Sequence, residues 1–283
     1  MWVGSDLTSS MPRLGNLASR VLVAAIAVPI LLLAIYQDRH EVVWGMVFVA
    51  SLISMYELFA MTLEDKTDRI AGVIMGGACA VAFYWLEPQH APVLVAFLAA
   101  FFAPAVYYLF RPGDIATVAP RLGYTVLGII YGGLLFAFLA LVKRDMGPRA
   151  GDYIVLILCT AWLSDTGGYF AGKYLGKRKL YPAVSPNKTW AGSVGGVLTA
   201  IAGGFVLEHW RPQLHDLTWY DVVLLTGVGS VFGQIGDLAE SLLKRSRGVK
   251  DSGAILPGHG GLLDRVDAVL FVAPYFYLYA LLR

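Results

Sequence analysis

Apolar residues run along the chain in long blocks separated by short polar breaks. Nine blocks are long enough, or nearly so, to cross a bilayer: about 20–36, 42–61, 70–86, 91–110, 124–142, 152–172, 189–207, 219–241 and 262–282. A span needs about 20 mostly apolar residues, and a helix satisfies its own backbone groups in lipid. The pattern predicts an all-α, polytopic integral membrane protein of about nine transmembrane helices. The alternating polar and apolar strands of a membrane barrel are missing from the sequence.

Composition agrees with the pattern. Of 283 residues, 57% are hydrophobic and 15% charged, against about 25% charged in soluble domains. A net charge of +2 gives no reason to expect a nucleic-acid partner, and membrane lipids are the expected surroundings. Cys79 and Cys159 lie inside apolar runs and read as small buried hydrophobes. The polar segment 1–19 precedes what reads as an uncleaved first span, with a signal peptide as the lesser alternative.

Charge distribution orients the chain. Sixteen of the 22 basic residues fall on the side that would hold the N-terminus and the even-numbered loops. The positive-inside rule places that side in the cytoplasm and the C-terminus outside. Lys143, Arg144 and Arg149 run against the rule. Residues 20–142 read as a five-helix scaffold with almost no interior charge. Residues 143–283 read as a four-helix catalytic region with cytoplasmic basic loops.

Three constellations carry candidate chemistry. In GQIGDLAESLLKR, helical spacing puts Asp237, Glu240, Ser241 and Lys244 on one face near the end of a span. Acids at such depth usually face a cavity or a partner; the bland reading is a Glu240–Lys244 surface pair. The run KRSRGVKDSGAILPGHGGLLDRVDA, residues 244–268, then brings Lys244, Arg245, Arg247 and Lys250, a glycine-rich turn at 257–261, and Asp264 and Asp267 on one helix face. A hard cation such as Mg²⁺ takes oxygen ligands from one or two carboxylates and from phosphates. Asp237, Glu240, Asp264 and Asp267 would meet at one membrane face and are the expected metal ligands. Acids for a metal beside bases for phosphate point to phosphoryl or nucleotidyl transfer. A positive-inside loop accounts for the bases alone.

The third constellation is SDTGGYFAGKYLGKRKLYPAVSPNKTW. Asp165 interrupts an apolar run and is a functional candidate. Gly168, Gly172 and Gly176 recur every four residues, the pattern of close helix packing. Ser185 and Pro186 read as the restart of a helix. The stretch GKYLGKR lacks the spacing of a P-loop, and His259 is given no role as a base.

From Ser241 to Asp267 the residues Ser-Leu-Leu-Lys-Arg, Lys-Asp and Pro-Gly-His-Gly-Gly-Leu-Leu-Asp-Arg-Val-Asp resemble the full signature of the phosphatidate cytidylyltransferases. GDLAES and SPNKTWAG resemble two further blocks of that family. The resemblance implies attack of phosphatidate on the α-phosphorus of CTP, giving CDP-diacylglycerol and pyrophosphate. It implies Mg²⁺, with K⁺ as a second cation, a bacterial-type inner membrane with the site on its cytoplasmic face, and members that can be homodimers. Its metal-binding acids fall on Asp237 and Asp264, with Glu240 and Asp267 beside them. Lys188, Lys244, Arg245, Lys250 and Arg265 would hold the triphosphate or the lipid phosphate. Asp251 and Ser241 belong to the motif, as do His259, Gly260 and Gly261 on the side of the bound nucleotide. Ala191 stands where the family usually has an acid. A CTP-dependent polyprenol or phytol kinase is the near alternative, and a transporter lined by Asp165, Asp237 and Glu240 the alternative of another class.

Overall fold

A computed structural model describes residues 25, 28–86, 91–253, 255 and 260–283. The polar segment 1–19, residues 20–24, 26 and 27 of the first expected span, His259 and most of the glycine-rich turn lie outside the described residues. Residues 28–35 are helical. Eight long helices follow: α1 His40–Thr62, α2 Lys66–Trp85, α3 Pro92–Phe110, α4 Ile115–Asp145, α5 Ala150–Leu175, α6 Trp190–Trp210, α7 Trp219–Ser246 and α8 Leu263–Leu282. Seven of these are long and apolar enough to cross a membrane, and α2 is the exception. Asp65 starts α2, its carboxylate accepting from the amides of Asp68 and Thr67, which holds its pKa below the ordinary value. Among the described residues the chain is an all-helical membrane protein apart from one small hairpin. The count of nine spans is not reproduced among the described residues.

Several helices outrun the apolar blocks that announced them. Helix α7 continues to Ser246, so Lys244 lies on the helix as its spacing predicts, and Arg245 lies there too. Both α4 and α7 contain a π-helical turn, at Ile129–Leu134 and Val223–Val228. Ser185 and Pro186 do not start a helix. They belong to strand β2, Ser185–Thr189, which pairs antiparallel with β1, Lys179–Tyr181. The helix begins at Trp190 instead, where the Thr189 side chain accepts from the amide of Gly192. The residue before a proline avoids helical dihedrals, which explains why Ser185 extends.

Helices α5 and α6 meet through glycine, as the every-fourth-residue pattern predicts for Gly168 and Gly172. A Cβ on Gly168 would stand 3.3 Å from the carbonyl oxygen of Gly192, and one on Gly192 2.7 Å from that of Gly168. Small residues let helix backbones approach this closely in a membrane. At the middle of the bundle Gln234 of α7 ties three helices together. It donates to the Ser193 carbonyl at 3.1 Å and accepts from the Ser193 hydroxyl, while Ser164 and Ser230 hydrogen-bond at 2.7 Å beside it. One apolar core runs from Ile35 to Tyr277 with buried side chains from every long helix but α6, whose Leu207 packs against it.

The basic residues that run against the charge rule are each partnered within the fold. Arg149 pairs with Asp216 at 2.7 Å, Arg144 with Asp145 at 2.7 Å, and Lys143 donates to the Ile35 carbonyl at 2.8 Å. Arg211 pairs with Asp152 and Arg283 with Asp221 at the same end of the bundle.

Candidate functional site

The opposite end of the bundle gathers most of the residues singled out in the sequence. Their positions follow from two helix ends. Helix α7 presents Asp237, Glu240, Ser241 and Lys244 on one face as it leaves the core, and α8 presents Asp264 and Asp267 in its first two turns. Lys244 is the hinge between them. Its ammonium lies 2.9 Å from Glu240 and 2.6 Å from Asp264, with the three side chains 11%, 0% and 10% exposed. The spacing of four residues does bring Glu240 and Lys244 together, but as a buried pair and not at the surface.

Asp264 is also held by two backbone amides. Its Oδ2 accepts from the amides of Ser252 at 3.0 Å and Gly261 at 2.9 Å, and its Oδ1 accepts from the Ser252 amide at 3.3 Å. Gly260 adopts φ +79°, the left-handed region that glycine enters without penalty. Gly260 and Gly261 thereby lie against the start of α8, and Asp251 lies beside Gly260.

Asp237 belongs to a second contact. Lys188, from β2, donates to one carboxylate oxygen, and the Ser241 hydroxyl donates to the other at 3.3 Å. Asp267 accepts from the Ala268 amide and lies within electrostatic reach of Asp237, Glu240 and Asp165. A cavity of about 510 Å³ opens on the Asp237 side. Its polar lining includes Asp165, Lys173, Asn187, Lys188, Ser193 and Asp237, and its greasy lining Tyr169 and Leu180. That volume suits a small-molecule headgroup.

The remaining candidates sit at the rim. Arg245 is exposed and donates to the Val249 carbonyl at 3.0 Å. Arg247 donates to the Met61 carbonyl at 3.1 Å and lies over the Tyr124 ring. Lys250, Asp251 and Arg265 are exposed at the same end.

The four acids do not form a ready cage. Among the described residues, no three Asp, Glu, His or Cys side chains converge as a metal cluster. Lys188 and Lys244 stand among them instead. The donor set still fits a hard cation. All four acids offer oxygen, and Glu240 Oε1 is buried and receives no hydrogen bond among the described residues. A buried carboxylate oxygen left without a donor is costly, and a cation would complete it.

Sequence reasoning missed Glu57. It lies within α1, in the part read as scaffold, and is 3% exposed. Its carboxylate accepts from the amides of Leu262 at 3.0 Å and Leu263 at 2.9 Å, and from the Ser252 hydroxyl at 3.4 Å. A lone acid inside an apolar span was signal enough to single it out. Nothing local in the sequence joins it to a turn some 200 residues downstream.

Acids and lysines thus alternate at one end of this helical membrane protein, beside a polar cavity. The chain matches the Cytidylyltransferase family over residues 18–282 and belongs to that family. It is 45% identical over 157 residues to the phosphatidate cytidylyltransferase of Bacillus subtilis (strain 168), a stretch covering 56% of this chain and 57% of that protein. It is 45% identical over 151 residues to the one from Staphylococcus epidermidis, covering 53% and 56%. With the Brucella suis protein of the same name it shares 41% identity over 157 residues, covering 56% and 57%. The chain thus spans a little over half the length of the curated relatives it matches.

Proposed function

We propose that the protein transfers the cytidylyl group of CTP to phosphatidate, releasing pyrophosphate and forming CDP-diacylglycerol for phospholipid synthesis. The observation that carries this reading is the chain of contacts from Lys188 and Asp237 to Glu240, Lys244 and Asp264, set beside the 510 Å³ cavity at one end of the bundle. The family and the name its relatives carry supply the substrates.

In this reading a phosphate oxygen of phosphatidate forms the new bond to the α-phosphorus, and the bond from that phosphorus to the oxygen of pyrophosphate breaks. A phosphate monoester is already anionic near pH 7, with its second pKa near 6. The nucleophile therefore needs positioning and charge neutralisation rather than a base. Lys188 faces the cavity and suits the lipid phosphate, while Lys244, Arg245, Lys250 and Arg265 suit the triphosphate. Asp237, Glu240, Asp264 and Asp267 would hold Mg²⁺, which supplies neutralisation of phosphate charge when bound. K⁺ as a second cation, a homodimer, an inner-membrane address and a cytoplasmic site belong to the same proposal.

The test is purified protein in detergent micelles with CTP, phosphatidate, Mg²⁺ and K⁺. The expected result is CDP-diacylglycerol with equimolar pyrophosphate, and loss of both in Asp264→Asn. Wild-type protein that makes neither, or an Asp264→Asn protein with full activity, overturns the reading. Release of CDP instead of pyrophosphate would identify a lipid kinase.

A further inference from the structure

We infer that Glu57 is a positioning residue for the transfer reaction: a carboxylate from α1 that clasps both limbs of the glycine-rich turn and so fixes where Asp264 stands. The inference rests on the proposed cytidylyl transfer for its functional half and on geometry for the rest.

Helix α8 starts without a cap of its own. Its N-cap position is Leu262, whose side chain accepts nothing, yet the first amides of a helix need acceptors. Glu57 supplies them from 205 and 206 residues away, at 3.0 Å to Leu262 and 2.9 Å to Leu263. A carboxylate at a helix N-terminus also meets the positive end of its dipole. The other limb of the turn is held by the same group, through the Ser252 hydroxyl at 3.4 Å.

The two carboxylates interlock. Asp264 accepts from the amides of Ser252 and Gly261, and Glu57 accepts from the hydroxyl of Ser252 and the amides that follow Gly261. Moving either limb displaces donors of both. Lys244 is then placed by Asp264 at 2.6 Å. The glycines record the same fit. A Cβ on Gly253 would stand 2.6 Å from Glu57 Oε1, and one on Gly261 2.8 Å from Glu57 Oε2. Neither glycine has a positive φ, so at both positions the lack of a side chain serves the approach of Glu57 and Ser252 and not an unusual backbone.

The experiment compares wild type, Glu57→Gln, Glu57→Ala, Gly253→Ala and the Glu57→Ala/Gly253→Ala pair, with exposed Glu64→Gln as a charge control. Glutamine keeps the volume of Glu57 but turns an N–H₂ toward backbone N–H groups. In Glu57→Gln, kcat falls toward the roughly hundredfold that a displacement near 1 Å can cost, while KM for CTP stays near wild type. Hydrogen exchange speeds up at 260–264 and not across the bundle. Gly253→Ala shows the same pattern, and adding it to Glu57→Ala costs nothing further, because the space it invades is then empty. A Glu57→Gln protein with wild-type kcat and exchange overturns the inference. So does a uniform rise in exchange with kcat and KM failing together, which marks a general folding role. If wild-type protein forms no product, the cytidylyl-transfer reading fails by itself; exchange at 260–264 still decides whether Glu57 clasps the turn.

Discussion

Lys244→Met is the sharpest probe of how the acids are held apart without a metal. Lys244 sits 2.9 Å from Glu240 and 2.6 Å from Asp264, and none of the three side chains exceeds 11% exposure. Removing one partner of such a buried pair typically costs about 3–5 kcal/mol, because a charge is left uncompensated. Asp264 keeps its two amide donors, whereas Glu240 loses the ammonium and is left beside the Asp267 carboxyl. The loss therefore falls mainly on Glu240. Methionine matches the length of the lysine stem, so packing changes little. In detergent, with a chelator present and no nucleotide, thermal unfolding followed by tryptophan fluorescence should drop on the order of 10 °C. Lys244→Met/Glu240→Gln should recover part of that drop, since neighbours in one ionic network couple by about 0.5–3 kcal/mol. A Lys244→Met protein within about 2 °C of wild type, the shift expected for a loss of about 1 kcal/mol or less, would refute the reasoning. Strict additivity in the double variant would refute it as well.

Three further outcomes follow from the same geometry. Gly192→Val should destabilise the α5–α6 crossing by about 1–3 kcal/mol, seen as lower yield and Tm, whereas Gly45→Ala, which has nothing within 4 Å, should not. For orientation, cysteines at Lys179 and at Asp216 should react with an impermeant maleimide from opposite sides of sealed vesicles, the Lys179 position from the cytoplasmic side. Chelation of divalent cations should abolish product formation and added Mg²⁺ should restore it, with Ca²⁺ a poor substitute because it prefers longer and more numerous oxygen contacts.

Much of the fold was legible because lipid imposes a simple rule. Long apolar blocks became helices, and the glycine repeat at Gly168 and Gly172 became a helix crossing. The legible part of the site was the part with local spacing. Asp237, Glu240, Ser241 and Lys244 share a face because they share a helix. Ser185 and Pro186 were misread because a Ser-Pro start signal competes with strand pairing, and here the hairpin with Lys179–Tyr181 prevails. The apolar block ends before Lys244, and the helix runs on through it to Ser246 as the spacing of the four residues predicts. Glu57 escaped because its partners are backbone amides far along the chain, and no side-chain pattern marks them.

The central claim is cytidylyl transfer, and the fate of the two ends of the triphosphate decides it. Purified protein is given phosphatidate with CTP labelled on either the α- or the γ-phosphorus, and the lipid fraction is counted. The account predicts α-label in the lipid and γ-label in released pyrophosphate. γ-Label in the lipid, or no label from either, would contradict it.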